Sequence, residues 1–264
     1  MEILGYIAAL FIGLSLGLTG SGGSILTVPI LVYLMGLSPV MATSYSLFVV
    51  GTTSLVGGAK FYRQGLVNFK TVLLFGLPSL IAVYLTRSYL IPAIPEEVFQ
   101  LGNLMVTKEL LLMVLFALLM ILASYSMITK KCCQDWKINQ RENINYGLII
   151  LEAVIVGLIS GMVGAGGGFL IIPVLVIFLR LDMKMAVGTS LFIIAANSLI
   201  GFVGDVFHYQ MDWRFLLLFS GLSIIGIFIG SAFADKVDSE KLKRGFGWFV
   251  LAMGIYILIK ELFL

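Results

Sequence analysis

Charged residues are scarce in this chain. Asp, Glu, Lys and Arg make up 12% of its 264 residues, whereas soluble globular domains contain about 25%. This composition excludes a soluble protein. The 17 basic and 14 acidic residues give a formal net charge of only +3 and form no basic stripe, so the chain is not expected to bind nucleic acid.

Cysteine and histidine are also rare, with two residues and one residue. Cys132 and Cys133 are adjacent, and such neighbours rarely bond to each other because the resulting disulfide is strained. A disulfide scaffold is therefore excluded. No cofactor, metal ion or catalytic residue is expected, because an intramembrane enzyme needs a nucleophile with a base, or a set of metal ligands, at membrane depth.

Apolar residues are abundant, with 60% of the chain hydrophobic and a mean hydropathy of +1.08. A transmembrane helix needs about 20 mostly apolar residues to cross a hydrocarbon core of about 30 Å. The sequence therefore predicts an all-α integral membrane protein that crosses the bilayer several times. Its apolar runs are 3–18, 22–35, 40–59, 71–90, 108–128, 146–163, 166–179, 186–204, 213–234 and 245–262.

The second half of the chain repeats the first at an offset of 144 residues, except that the first half has extra residues near 97–108. Glycines, a proline and serines match at fixed positions, which composition alone does not explain. We expect a first membrane repeat at 1–128, a cytoplasmic linker at 129–145 and a second membrane repeat at 146–264. The matched pairs include Gly13 with Gly157, Gly17 with Gly161, Gly22 with Gly166, Gly23 with Gly167, Pro29 with Pro173, Ser46 with Ser190, and Ser54 with Ser198.

The threading of the two short runs that begin each repeat decides how the repeats are oriented. One broken span would make the repeats parallel, whereas a re-entrant or short helical hairpin, followed by three transmembrane helices, would invert them. Lys and Arg concentrate in cytoplasmic loops. The hairpin threading puts 13 of the 17 basic residues on one side and 4 on the other, but the broken span divides them 9 to 8. The sequence therefore predicts inverted repeats with both termini outside the cytoplasm.

Each hairpin turns at a glycine-rich sequence, Gly20-Ser21-Gly22-Gly23-Ser24 or Gly164-Ala165-Gly166-Gly167-Gly168. In the first repeat, arms of 16 and 14 residues reach only about 24 and about 21 Å, so we expect the turns inside the membrane. A helix N-terminus offers free N–H donors and about half a positive charge. Two opposed turns near the midplane predict a site for one small anion. Alternatively, these glycines only allow close helix packing.

Polar side chains on the third run of each repeat are further candidates for the site. Asn197 is costly in hydrocarbon unless it is paired, so we expect it to face the bundle interior. Ser46 and Ser190 are the next candidates, although hydroxyls in membrane helices often bond to their own backbone. No basic side chain is expected deep in any run, so backbone dipoles and hydroxyls would hold the anion weakly.

Three ionisable residues, Glu152, Asp205 and His208, lie within or beside the apolar runs. Each is a candidate for proton coupling. The alternative for Glu152 is a side chain that extends to the membrane interface, and the alternative for His208 is an exposed loop position.

Four motifs give a further indication: GLTGSGGS at 17–24 with Pro29, GMVGAGGG at 161–168 with Pro173, ATSYSLF at 42–48 and AVGTSLF at 186–192. They resemble the TauE/SafE family of bacterial membrane permeases, and the resemblance covers nearly the whole chain. It implies a multi-pass protein of the bacterial inner membrane that moves sulfite or small organosulfonates, mostly outward. The matched turns differ, because Ala165 and Gly168 stand where the first turn has Ser21 and Ser24.

The sequence therefore predicts a secondary transporter of a small anion, with sulfite or an organosulfonate as substrate and export as the direction, by alternating access around the two turns. A passive anion channel with the same site is one alternative, and an importer of a small carboxylate or sulfur compound is another. The expected partners are the substrate anion, the lipid bilayer and a coupled proton or sodium ion. The sequence leaves a homo-oligomer open.

Overall fold

The computed structural model of the chain describes residues 2–19, 22–101, 104–129, 146–177, 179, 181–233 and 239–263. Nearly all the regular structure in these ranges is helical. The first half contains α1 (Glu2–Thr19), a 3-10 helix (Gly22–Leu26), α2 (Thr27–Pro29), a π-helical turn (Ile30–Leu34), α3 (Pro39–Arg63), α4 (Phe69–Leu85), a second π-helical turn (Thr86–Leu90), α5 (Ile91–Ala93), strands β1 (Glu97–Leu101) and β2 (Leu104–Thr107), and α6 (Lys108–Thr129). The second half contains α7 (Tyr146–Val163), α8 (Gly168–Ile177), α9 (Met183–Val206), α10 (Trp213–Phe233) and α11 (Ser239–Phe263).

Six helices in the described part of the chain are long and apolar enough to cross a membrane. Two shorter apolar helices, Leu4–Leu18 and Gly23–Leu34, accompany them. This architecture confirms the predicted all-α integral membrane fold. The six candidate spans are Pro39–Arg63, Phe69–Ala93, Lys108–Thr129, Tyr146–Val163, Met183–Val206 and Trp213–Phe233.

A two-stranded antiparallel ribbon, β1 with β2, lies between α5 and α6. It occupies the region near 97–108 where the first half has residues without counterparts in the second. The sequence pattern predicts no strand there. The ribbon adds a small non-helical element outside the six candidate spans.

Helices α3 and α9 form the centre of the bundle, where 67% of each span is buried, against 35–39% for the other four spans. Their contacts show that the two helices are antiparallel. Ser44 near the start of α3 bonds Asp205 near the end of α9. Later in α3, a Cβ added at Gly58 would contact Phe192, close to the start of α9.

Two further helix pairs, α1 with α10 and α4 with α7, pack backbone against backbone. A Cβ added at Gly13 would lie 1.8 Å from the carbonyl oxygen of Ser223, and one added at Gly157 would lie 2.4 Å from that of Ser79. Both distances are shorter than any carbon–oxygen van der Waals contact, so only glycine fits. The four residues are also counterparts at the offset of 144, so the two pairs use the same contact.

The contacts also establish the direction of the short segment 22–34. Further along each pair, Gly17 packs against Ile227 and Gly161 against Thr86, so α1 is parallel to α10 and α7 is parallel to α4. Helix α10 follows α9 after a short turn and runs back across the bundle, in the direction of α3. Helix α1 therefore has the same direction as α3. Segment 22–34 returns between them as the second arm of a hairpin.

Candidate functional site

The second glycine turn joins α7 to α8 inside the protein. Gly164, Gly166 and Gly167 have φ angles of 73°, 67° and 68°, a left-handed conformation that side chains with a Cβ disfavour. These glycines, Ala165 and Gly168 are all buried. The sequence thus makes a tight turn here whose own residues contribute no side chain larger than the methyl group of Ala165.

The first glycine turn is described from Gly22 onward; Gly20 and Ser21 lie outside the described residues. Gly22 begins the 3-10 helix, and Gly23 and Ser24 are buried. A Cβ added at Gly23 would meet the backbone of Ile12 and Leu16 on the preceding helix. At the matched place, a Cβ added at Gly167 would meet Val156 and Ser160 on α7, so both turns fold back on the helix before them.

The two turns come together at the centre of the bundle. The 3-10 helix of the first turn packs against α8, which begins at the second turn. A Cβ added at Gly166 would lie 2.7 Å from the hydroxyl of Ser198 on α9 and 2.9 Å from Val50 on α3. The second turn is therefore enclosed by the two central helices, and the first turn packs against α1 and α8.

Several buried hydroxyl groups near the centre have no hydrogen-bond partner among the described residues. Buried polar atoms are paired in the great majority of cases, so each exception requires an explanation. Of the two predicted serines, Ser46 lacks a partner, whereas Ser190 donates to the carbonyl oxygen of Val187 at 2.9 Å. The unpartnered hydroxyls of the central and neighbouring helices are those of Thr27, Ser46, Ser54, Ser160 and Ser198.

Asn197 is fully buried, and its amide is paired with Ser79 of α4. The amide Nδ2 donates to the Ser79 hydroxyl at 2.9 Å, and that hydroxyl donates to Oδ1 at 3.2 Å. Asn197 thus faces the bundle interior, where it links two spans that come from different halves of the chain.

Arg87, in the π-helical turn that follows α4, is only 1% exposed. Its Nη1 donates to Asp205 Oδ2 at 3.0 Å and to the Thr43 hydroxyl at 3.1 Å. Arg87 stands near the end of its apolar run, but the protein buries it, so a fixed arginine is available where only backbone dipoles and hydroxyls were expected. The guanidinium is tolerated there because a carboxylate from the other half of the chain neutralises it.

Asp205 is fully buried in the last turn of α9. Its Oδ2 also accepts a hydrogen bond of 2.6 Å from the Ser44 hydroxyl. The pair is close to the second glycine turn, because a Cβ added at Gly164 would lie 2.5 Å from Cβ of Thr43. The sequence singled out Asp205 but missed Arg87, since nothing in its local pattern distinguishes it from an arginine at the membrane interface.

The other two predicted coupling residues lie outside this cluster. His208 is exposed in the turn after α9, with Nδ1 3.0 Å from the carbonyl oxygen of Gly204. Glu152 is partly buried on α7, and its Oε2 has no partner in the described ranges. Next to His208, burial raises the pKa of the Tyr209 phenol, so this group stays protonated at neutral pH.

The opposite end of the bundle has no equivalent ion pair within the part of the chain described. At the offset of 144, Ser231 and Phe61 take the places of Arg87 and Asp205. There, Lys60 Nζ donates to the carbonyl oxygen of Ser231 at 3.1 Å. The three residues line a small pocket of about 20 Å³, roughly the space for one water molecule. The two ends of the bundle are therefore built differently.

A multi-pass helical bundle in which two interrupted helices meet at the buried centre is the architecture of a membrane transporter. The chain belongs to the TauE/SafE sulfite exporter family, because the family model described as "Sulfite exporter TauE/SafE" matches residues 5–257.

Relatives of the chain occur in distant organisms. A "Probable membrane transporter protein" of Xylella fastidiosa (strain 9a5c) is 29% identical over 251 residues, which cover 94% of this chain and 91% of the relative. "Probable membrane transporter protein YjnA" of Bacillus subtilis is 26% identical and covers 98% of this chain and 100% of its own. "Sulfite exporter TauE/SafE family protein 5" of Arabidopsis thaliana is 28% identical over 37% of this chain and 24% of its own. No solved structure matches the chain.

Proposed function

We propose that the protein is a secondary transporter that moves a small sulfur-containing anion, sulfite or an organosulfonate, outward by alternating access around its two glycine turns. The observation that carries the proposal is the packing of the first turn's 3-10 helix against α8, which begins at the second turn, buried between α3 and α9. The substrate class follows from the family, whose description names sulfite export. The bacterial inner membrane is the proposed location, by the same resemblance.

The helix directions support a second part of the proposal, the inversion of the two repeats. Helices α3 and α9 are counterparts at the offset of 144, and they run in opposite directions. Inverted repeats related by an axis in the membrane plane place the substrate site near the midplane, at the repeat interface. We further propose, from the distribution of Lys and Arg, that both termini lie outside and the linker lies in the cytoplasm.

The chemistry of the turns suits a small oxyanion. Glycine backbone lets N–H groups approach a ligand closely, and the start of α8 adds the positive end of a helix dipole. The hydroxyl of Ser198, which faces Gly166 and lacks a described partner, adds a donor whose hydrogen can rotate toward an oxygen. Ser54 occupies the matched position and is likewise unpartnered. In this arrangement the two serines donate to the anion from opposite repeats.

The experiment uses the purified full-length protein with sulfite, sulfate, thiosulfate, methanesulfonate and acetate as probes. We expect sulfite or methanesulfonate, but not acetate, to raise the melting temperature. In proteoliposomes, an imposed ion gradient should drive accumulation of the same anion against its own electrochemical gradient. Equilibration without accumulation would instead support a passive channel, and the lack of any anion effect would overturn the proposal.

Serine variants test whether the turns form the site. Ser54→Ala and Ser198→Ala should each weaken binding of the effective anion by about fivefold to tenfold, which is the worth of one hydrogen bond. Neither variant should lower the melting temperature in the absence of the anion, because each removes a buried hydroxyl without a described partner.

Ser124→Ala is the matched control, since the Ser124 hydroxyl is buried and donates to its own helix at the carbonyl oxygen of Ile121. Its anion affinity should equal that of the wild type. If the three variants bind the anion equally well, the two serines do not belong to the site.

A further inference from the structure

The pair of Arg87 and Asp205 is a buried charge cluster that carries unused hydrogen-bonding capacity. Both side chains are completely buried. Only one guanidinium nitrogen, Nη1, makes hydrogen bonds; Nε and Nη2 of Arg87 and Oδ1 of Asp205 have no partner among the described residues. A buried ion pair is stable only if its remaining donors and acceptors are satisfied. The guanidinium therefore has two nitrogens without a described partner, and their three N–H groups suit a second oxyanion.

The cluster connects the two repeats and adjoins the proposed site. Arg87, Thr43 and Ser44 belong to the first half, and Asp205 belongs to the second. Thr43 contributes both a hydrogen bond to Arg87 and the surface on which Gly164 packs. Only the side chain of Thr43 would thus separate an anion at the second glycine turn from the guanidinium.

Other charged and titratable groups around the pair lie at its edge. Lys108 at the start of α6 interacts electrostatically with both Arg87 and Asp205, and so does the phenol of Tyr209. His208 donates its backbone N–H to the carbonyl oxygen of Asp205, while its exposed ring turns to Gly204. Glu152 is too far along α7 to contact the pair. It lies nine residues before Gly161, which packs against Thr86 next to Arg87, and nine residues correspond to about 14 Å of helix. Asp205 is therefore the carboxylate that neutralises Arg87.

We propose that Arg87 binds the substrate anion and that Asp205 takes up the proton that frees Arg87 for it. This inference rests on the proposed transport function and names the side chain and the proton acceptor of the same site. Without substrate, the Asp205 carboxylate pairs with the guanidinium. When Asp205 gains a proton, its charge disappears, and the anion replaces the carboxylate on Arg87. When the anion leaves, Asp205 releases the proton and pairs with Arg87 again.

Charge balance in a buried site couples the anion to the proton. An uncompensated charge in a low-dielectric interior is strongly unfavourable. Arginine stays protonated under all conditions, so its charge must be neutralised in every state, either by Asp205 or by the anion. Hence one proton accompanies each singly charged anion. The anion and the proton move together in the same direction, and the step carries no net charge, so outward transport is driven by the outward concentration gradient of the anion.

The test uses methanesulfonate, because its charge does not change with pH, in proteoliposomes whose membrane potential is clamped. An imposed pH gradient should drive wild-type accumulation on the alkaline side. Binding to the purified wild type should strengthen as the pH falls, by up to about tenfold per pH unit, because a proton is taken up with the anion.

Two variants separate the roles of the residues. Asp205→Asn leaves Arg87 permanently available, so methanesulfonate should still bind, without dependence on pH, and the pH gradient should no longer drive accumulation. Arg87→Gln combined with Asp205→Asn removes both charges, so the fold keeps a neutral interior, but methanesulfonate affinity should fall by about tenfold or more. The exposed Arg214→Gln and Glu109→Gln are matched controls that should behave like the wild type.

The outcomes distinguish this inference from the proposed function. If Asp205→Asn still accumulates methanesulfonate in response to the pH gradient, or if the double variant binds it normally, the inference is overturned and the transport function stands. If the wild type neither binds nor transports any of the anion probes, both fail. If binding by the wild type is the same at about pH 5 and about pH 8, no proton is taken up with the anion across this range, and proton coupling through Asp205 is refuted.

Discussion

Polar atoms at the centre of the bundle occupy positions where apolar side chains would pack without cost. Ser46, Ser54 and Ser198 are fully buried and unpartnered among the described residues, and replacing such a hydroxyl by hydrogen usually costs a protein nothing. Their presence is understandable if a ligand uses them. At the level of the residue, the proposed function thus implies a centre organised for binding at the expense of stability.

Gly164 provides a stability test at the same scale. Gly164→Ala should lower the free energy of unfolding by about 2–4 kcal/mol, because its left-handed φ disfavours a Cβ and the new Cβ would overlap Thr43. Gly221→Ala, at a helical glycine with open space around it, should be neutral or gain about 0.5–1 kcal/mol. Reversible unfolding in mixed detergent micelles measures both. Equal stabilities would show that the turn is not built as described.

The sequence predicted some site residues and missed others for a physical reason. Repeated glycines give a local signal, because nothing else fits a tight turn between two apolar segments. Arg87 gives none, since it stands near the end of an apolar run, as interfacial arginines do. Only the approach of Asp205, 118 positions away in the chain, makes it a buried residue.

Among the elements, the long helices were the most predictable. The run 146–163 coincides with α7, and the runs around α3, α4, α9 and α10 end within a few residues of the helices, because sustained hydrophobicity is a strong signal. The segment 22–34 was predictable in position but not in form. It combines 3-10, α and π geometry around Pro29, which has no N–H for the helical ladder.

The glycine contacts that pair α1 with α10 and α7 with α4 can be tested by substitution. Gly13→Ala and Gly157→Ala should each lower the free energy of unfolding by about 1–3 kcal/mol, because the new methyl group pushes α1 from α10 or α7 from α4. Gly245→Ala in α11, where the added Cβ would meet nothing, is the control. A variant pair in which only one member is destabilised would contradict the equivalence of the two helix pairs.

On the scale of the whole molecule, the helix directions and the distribution of basic residues point to one arrangement in the bilayer. The antiparallel centre places corresponding ends of the two repeats on opposite faces. Under the hairpin threading, 13 of the 17 basic residues lie on the same face as the linker. This distribution predicts that the face is cytoplasmic. Cys132 and Cys133 fall in that linker, outside the described residues, and they provide natural labels for it.

Thiol labelling checks the sidedness. In intact cells, a membrane-impermeant maleimide should leave Cys132 and Cys133 unmodified, and it should modify them once the membrane is permeabilised. Cysteine introduced next to the N-terminus, in a variant that lacks the two native thiols, should show the opposite pattern. Labelling of the native pair from outside would reverse the proposed orientation.

The difference between the two ends of the bundle has a kinetic consequence. Separating the helices at one end requires breaking an ionic contact between Arg87 and Asp205, whereas the matched positions at the other end, Ser231 and Phe61, offer no such contact. The unloaded protein should therefore rest with the Arg87 end shut and the Lys60 end easier to open. Opening of the Arg87 end then limits each turnover, so the two half-cycles proceed at unequal rates although the two halves of the chain match in sequence.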